Sequence, residues 1–303
     1  MPHHQEIIAV GASAGGVEAL RVLVAGLSGD LNSAVLVVLH IGEGINGQSY
    51  LPDILSKAGQ LPAGNPFDGE EIRHGRIYIA PPDYHLQVEP GRVCLVHGPK
   101  ENHTRPAINP LFRSAAAAYG SRVTGVLLTG MLDDGVAGLA EIKRRGGLVV
   151  VQDPATALFP SMPQNAIQRV DVDYISRLED MADLLYKSAM MERSAVERDE
   201  PIERSQIKVT CPECRGPLWE ERQGRIVEYR CRVGHIYSPL AMAQQHDETV
   251  ERSLWATVVA LEEAADIGEE LAPELGPEGA QAARKKRTQA AILREMLGET
   301  APP

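Results

Sequence analysis

The stretch Ile7-Ile8-Ala9-Val10-Gly11-Ala12-Ser13-Ala14-Gly15-Gly16 decides the fold of this 303-residue chain. A short apolar run ends at a glycine-rich turn, and a helical pattern follows at residues 17–23. This order predicts a buried strand, a sharp turn and a helix. Ser13 would then stand at the carboxyl end of the strand, with its hydroxyl exposed beside a helix N-terminus.

The rest of the first 186 residues repeats this alternation of apolar strands and helices. Further strand signals lie at residues 34–39, 77–80, 123–129 and 148–151, and helical segments lie at 110–119 and 138–145. Continuous apolar strands favour a parallel sheet that is covered on both faces. We therefore predict an α/β fold, a doubly wound, mostly parallel sheet in a three-layer αβα arrangement. Residues 85–97 instead predict an antiparallel hairpin at an edge.

Charge and hydropathy exclude several classes of partner. The chain carries 30 Lys and Arg against 41 Asp and Glu, a net charge of −11, which repels nucleic acid and anionic lipid. No apolar run approaches the roughly 20 residues that span a bilayer, and the first residues lack a signal-peptide pattern. We expect a cytoplasmic protein without nucleic-acid binding or membrane insertion.

The composition changes near residue 187, where charged residues without apolar periodicity begin. We predict an α/β catalytic domain at 1–186 and a linker at 187–207. A zinc-ribbon-like module at 208–240 and a partly disordered helical tail at 241–303 would follow.

The cysteines indicate a metal centre in the third of these segments. Cys211 and Cys214 form a C-x₂-C pair, Cys231 and His235 form a C-x₃-H pair, and sixteen residues separate the two pairs. Two such knuckles around a hairpin predict a structural Zn²⁺, because a catalytic zinc keeps one position open for water. His246 or water could replace His235 as the fourth ligand, and a redox cysteine pair is the alternative to a metal.

Three strand ends carry residues suited to nucleophilic catalysis. The 34–39 strand ends at His40, and the 123–129 strand leads into Asp133 and Asp134. Parallel strands bring their carboxyl ends to one rim, so His40 could face Ser13 as its base and either Asp could orient the imidazole. The glycine-rich turn could alternatively cradle a phosphate, and one Asp could cap the next helix.

In combination these segments resemble the CheB-type chemotaxis protein-glutamate methylesterases. The resemblance covers roughly residues 5–186. The motifs that carry it are residues 11–16, His40, 79–85 (IAPPDYH), 105–112 (RPAINPLF), 129–135 (TGMLDDG) and 159–166 (FPSMPQNA).

The resemblance implies hydrolysis of glutamyl γ-methyl esters on chemoreceptors, often with glutamine deamidation, and no catalytic cofactor. Ser13 matches the nucleophile, His40 the base and Asp134 the orienting acid. The backbone amides of Ala14 and Met131 are candidate oxyanion donors because both follow strand ends. Arg105, in a loop with several potential cations, is a candidate substrate contact.

The family normally carries a receiver domain ahead of the catalytic domain, and here we expect none, since the first strand begins within seven residues of Met1. The ribbon and tail are candidates for docking a partner. The alternative function is a catalytically weak adaptor of a chemosensory-like pathway that binds partners through these C-terminal segments.

Overall fold

The computed structural model describes residues 6–40, 49–191, 193 and 200–298. The chain forms two compact units, residues 1–241 and 242–303. Residues 192 and 194–199 of the predicted linker lie outside the described residues, as do the last five residues of the predicted tail.

The first unit is built around a seven-stranded sheet in which every pairing is parallel. The strands are β1 (Glu6–Ala12), β2 (Ser33–Leu39), β3 (Ala63–Gly64), β4 (Ile77–Ile79), β7 (Val123–Leu127), β8 (Leu148–Gln152) and β9 (Tyr174–Ser176). Their order in the sheet is β3-β4-β2-β1-β7-β8-β9.

Helices cover both faces of this sheet. They are α1 (Gly16–Gly26), α2 (Leu51–Ala58), α3 (Ile108–Tyr119), α4 (Val136–Arg144), α5 (Ser161–Arg169) and α6 (Leu178–Ser188). Successive residues of β1 point to opposite faces, so Ile7 packs into one core with α3, α4 and α5 while Ile8 packs into another with α1, α2 and α6. This arrangement confirms the doubly wound α/β prediction.

The predicted hairpin is present, but it is a separate two-stranded sheet of β5 (His85–Glu89) and β6 (Arg92–Val96). Its apolar side chains, among them Leu86 and Val93, pack into the same core as α3. The hairpin is therefore not an edge of the central sheet, because the apolar side of its strands is buried against a helix.

A small antiparallel sheet follows, and we call residues 203–238 the ribbon. Its strands are β10 (Glu203–Thr210), β11 (Pro217–Gln223), β12 (Ile226–Cys231) and β13 (Ile236–Tyr237), hydrogen-bonded in chain order. Strand β10 begins within the segment that the sequence assigns to the linker. Its residues are almost all exposed, so they carry no apolar signal from which a strand could be predicted.

The tail is helical, with α7 (Pro239–Glu270) and α8 (Ala272–Met296), which is kinked at Gly276. In the second unit Val258 and Ala265 of α7 are buried, as are Ala283 and Ala290 of α8. Ion pairs such as Arg294 with Glu262 link the two helices. No helix among the described residues is long and apolar enough to cross a membrane.

Candidate active site and metal centre

Ser13 lies in the turn between β1 and α1, at the carboxyl rim of the central sheet. Its backbone amide donates to the Thr129 carbonyl (3.0 Å), and its carbonyl accepts from the Gly16 amide (2.8 Å). Gly15 has φ +74°, a left-handed conformation that favours glycine, and a Cβ there would also crowd Leu158. The turn therefore fixes the Ser13 backbone between the first helix and the segment that follows β7.

His40 follows β2, the neighbour of β1, and its imidazole connects Ser13 to an acid. Nδ1 lies 3.1 Å from Ser13 Oγ, and Nε2 lies 2.8 Å from Asp134 Oδ2. An ionised carboxylate only accepts hydrogen bonds, so Nε2 carries the proton and Nδ1 is free to accept the serine proton. These contacts are the ones that a nucleophile, a base and an orienting acid would make.

Asp134 is buried and accepts from four donors. Oδ2 accepts from His40 and from the Ile108 amide (2.6 Å), and Oδ1 accepts from Asn102 Nδ2 (3.0 Å) and the Asn109 amide (3.4 Å). Burial by itself raises the pKa of Asp134, but hydrogen bonds, His40's first among them, outweigh it and hold this pKa below its usual value.

The neighbouring Asp133 has a different environment. Its carboxylate pairs with Arg169 and accepts a hydrogen bond from the Ser238 hydroxyl. Burial raises the pKa of Asp133 above its usual value despite these two partners. Of the two acids that the sequence leaves open, it is thus Asp134 that contacts His40.

Sequence reasoning missed the residues that hold the acid. The amides of Ile108 and Asn109 belong to the first turn of α3, where helix N-terminal N–H groups favour an anion. Asn102 lies in a tight turn with φ +48° before this helix, and Thr104 Oγ1 is 3.4 Å from His40 Nε2. The available signal was an Asn-x-Thr segment shortly before the start of a helix. The partner of Asn102, Asp134, is distant in sequence, so the segment alone does not reveal the contact.

The remaining predicted site residues are Ala14, Met131 and Arg105. Ala14 lies beside Ser13, and its carbonyl accepts from Thr129 Oγ1 (3.1 Å). Met131 is exposed, three residues before Asp134. The Arg105 guanidinium donates to Asp83 (2.6 Å) and to the Gly98 carbonyl (2.5 Å), so its donors hold the surrounding loop.

A cavity opens beside Ser13. Its apolar lining comes from the start of α1 and the end of β2, and its lining residues are Ser13, Gly15, Gly16, Val17, Glu18, Leu39 and His40. Val17 and Leu158 are exposed apolar side chains in this region. An apolar surface next to a nucleophile suits a neutral ester on a protein side chain.

The four predicted metal ligands also lie together. The donor atoms of Cys211, Cys214, Cys231 and His235 are all within 4.8 Å of one another. The Cys214 and Cys231 sulfurs are 3.7 Å apart, and His235 Nδ1 lies 3.4 Å from Cys231 Sγ. The group is thus a candidate metal centre with three sulfur donors and one nitrogen donor.

Comparisons with known proteins identify relatives of the α/β part of the chain. A model of the CheB methylesterase family matches residues 8–185. The putative protein-glutamate methylesterase/protein-glutamine glutaminase of Leptospira interrogans is 38% identical over 183 residues, which cover 60% of this chain and 94% of the relative. Protein-glutamate methylesterase/protein-glutamine glutaminase 2 of Methanosarcina mazei is 36% identical, over 60% of this chain and about half (52%) of the relative.

Among solved structures, the Thermotoga maritima CheB methylesterase catalytic domain superposes with a TM-score of 0.57 at 31% identity. The match covers 60% of this chain and 98% of that domain. The ribbon and the tail lie beyond the residues that the family model matches. Because that model spans more than half of the chain and contains Ser13, His40 and Asp134, the chain belongs to the CheB methylesterase family.

Proposed function

We propose that this protein is a protein-glutamate methylesterase that hydrolyses glutamyl γ-methyl esters on chemoreceptors in the cytoplasm. The observation that carries the proposal is the hydrogen-bonded series Ser13, His40 and Asp134 within the family-matched region. The names of its relatives include protein-glutamine glutaminase, and the same residues would serve deamidation of glutamine side chains as a second reaction.

In this mechanism Ser13 Oγ attacks the ester carbonyl while His40 Nδ1 takes its proton. Asp134 stabilises the imidazolium that forms and keeps the ring in orientation. The imidazolium then protonates the departing methoxide, so methanol leaves and a glutamyl-serine ester remains. Water attacks this ester with His40 again as the base, which returns Ser13 and releases the glutamate carboxylate.

The tetrahedral intermediates require donors for a negatively charged oxygen. We assign this role to two backbone amides, that of Ala14 in the Ser13 turn and that of Met131 in the segment after β7. Arg105 contributes indirectly, because its guanidinium holds Asp83 and the Gly98 carbonyl and so shapes the loop at this rim. No cofactor takes part in the hydrolysis.

The ribbon cluster suits a structural Zn²⁺. Zn–S bonds of about 2.3 Å in a tetrahedron put two sulfurs about 3.8 Å apart. The Cys214–Cys231 separation is 3.7 Å, and His235 Nδ1 lies 3.7 Å from Cys211 and 3.4 Å from Cys231. All four positions are protein ligands, which leaves no place for a reacting water.

The test is methanol release from methylated cytoplasmic fragments of chemoreceptors. We expect release by the wild type and a fall of about 10⁶-fold in Ser13→Ala, because the nucleophile is lost. Ser205→Ala is the matched control, since Ser205 is exposed on β10. If wild-type protein binds the fragment without releasing methanol, the adaptor function replaces the esterase.

A further inference from the structure

Asn102 joins the candidate active site to the ribbon. On one side its Nδ2 donates to Asp134 Oδ1 (3.0 Å). On the other side its Oδ1 accepts from the Ser238 amide (2.8 Å), and its backbone amide donates to the Ile236 carbonyl (2.9 Å). Asn102 is 8% exposed. Two of its three hydrogen bonds therefore come from the C-terminal end of the ribbon.

That end of the ribbon is built directly on the metal ligands. Strand β13 begins immediately after His235, whose carbonyl accepts from the Cys231 amide (3.0 Å). The Tyr237 hydroxyl lies 3.3 Å from Cys211 Sγ, and the Tyr237 ring contacts the His103 ring at 4.9 Å between centroids. The cluster thus fixes both ends of the two-residue strand that holds Asn102.

Further contacts tie the ribbon to the same part of the catalytic domain. The Ser238 hydroxyl donates to Asp133, the neighbour of the triad acid. Arg113 of α3 pairs with Glu228 of the ribbon (3.1 Å) and with Glu101, the neighbour of Asn102. The ribbon therefore contacts the residue that precedes Asp134, the turn that holds Asn102 and helix α3.

The ribbon has a small apolar core of its own. Its buried hydrophobic side chains are Cys211, Leu218, Cys231, Ile236 and Tyr237, and two of these five are metal ligands. A module this small usually folds only with its metal, because it buries too little apolar surface to offset the entropy of ordering. Loss of the metal would release β13 and with it the two hydrogen bonds to Asn102.

We propose that the metal-loaded ribbon positions the triad acid through Asn102, so that a metal that takes no part in the chemistry supports catalysis. The inference rests on the proposed esterase function. Asn102 is a positioning residue: it touches Asp134 and not the substrate. The metal contributes by holding β13, and every chemical step remains with Ser13, His40 and Asp134.

The test compares two variants with matched controls. Cys214→Ser removes a half-buried metal ligand, and Cys94→Ser alters the cysteine that lies outside the cluster. Asn102→Ala breaks the connection while leaving all four ligands in place. Each protein is assayed for zinc content, for methanol release, and for the downfield NMR resonance of the His40 Nε2 proton that faces Asp134.

We expect Cys94→Ser to match the wild type, with one zinc per chain. Cys214→Ser should lose the zinc, shift or broaden the His40 resonance, and release methanol about 10²-fold more slowly, as small misplacements of catalytic groups do. Asn102→Ala should keep the zinc and show the same two defects. The double variant should be no worse than either single variant, because both act through one connection.

The proposal is overturned if zinc-free Cys214→Ser keeps the wild-type resonance and rate, or if Asn102→Ala keeps them. If Cys214→Ser does not fold, Asn102→Ala alone decides, since its zinc content reports an intact ribbon. A resonance that depends on zinc and Asn102 in a protein that releases no methanol would refute the esterase function while leaving the connection standing.

Discussion

Replacing Asp134 by Asn gives the sharpest test of the triad. The carboxylate offers two oxygens to four donors: His40 Nε2 and the Ile108 amide on one, Asn102 Nδ2 and the Asn109 amide on the other. A carboxamide has a single oxygen. If its NH₂ faces His40, the imidazole must accept there and carries its proton on Nδ1, where it cannot take the serine proton.

If the NH₂ instead turns away from His40, it faces two other donors, Asn102 Nδ2 and the Asn109 amide. Each buried donor that is left without an acceptor costs about 1–3 kcal/mol. The first orientation loses one backbone bond and the second disrupts two contacts, so the tautomer that blocks catalysis is expected to be favoured. By analogy with the same substitution in serine proteases, kcat should fall about 10⁴-fold, or about 5.5 kcal/mol in activation free energy.

Asp133→Asn is the matched control, because the carboxylate of Asp133 contacts Arg169 and Ser238 and not His40. Both variants would be assayed for methanol release from a methylated receptor fragment, with folding checked by thermal denaturation. Asp133→Asn should lose less than about tenfold, since neither of its partners reaches the reacting atoms. Equal losses in the two variants, or a mild loss in Asp134→Asn, would refute the assigned role of Asp134.

Two further substitutions test the surroundings of the site. A Cβ at Gly130 would lie 2.9 Å from the Ser13 Cβ and 2.4 Å from the Met162 side chain. Gly130→Ala should therefore lower kcat about 10²-fold by displacing the nucleophile, and steady-state kinetics with an unchanged rate would contradict this packing. Arg113→Met leaves the buried Glu101 carboxylate without its cation and should lower the free energy of unfolding by about 3 kcal/mol. Urea denaturation measures this, and a midpoint equal to that of the wild type would show that the pair does not stabilise the fold.

The central strands were predictable because their signal is local. Residues 33–39 (SAVLVVL) and 123–127 (VTGVL) are buried throughout, so apolar residues dominate both stretches of the sequence. Strand β3 has two residues and β9 has two exposed residues among its three, so neither produces such a run. Their pairing is set by the neighbouring strands β4 and β8, which only the assembled sheet supplies.

The residues of the site likewise divide into those that the sequence could predict and those that it could not. Ser13, His40 and Asp134 could be brought together in advance because parallel strands deliver their carboxyl ends to one rim. The choice between Asp133 and Asp134 could not be made from pattern alone, since both follow the same strand. Asn102 was out of reach because its acceptor oxygen binds the Ser238 amide, 136 residues along the chain.

The ribbon contacts neighbours of Asp134, which His40 separates from Ser13. Nδ1 faces Ser13 and Nε2 faces Asp134, so the acid lies on the far side of the imidazole from the nucleophile. Ribbon residues contact Asn102, His103 and Asp133, which lie next to the acid in space or in sequence, and Glu228 pairs with Arg113 of α3. The cavity at Ser13 is lined by the turn after β1, the start of α1 and the end of β2. A module added after the catalytic domain can therefore brace Asp134 without supplying any of the residues that line the cavity at Ser13, which makes it a support for the acid rather than a cover for the nucleophile.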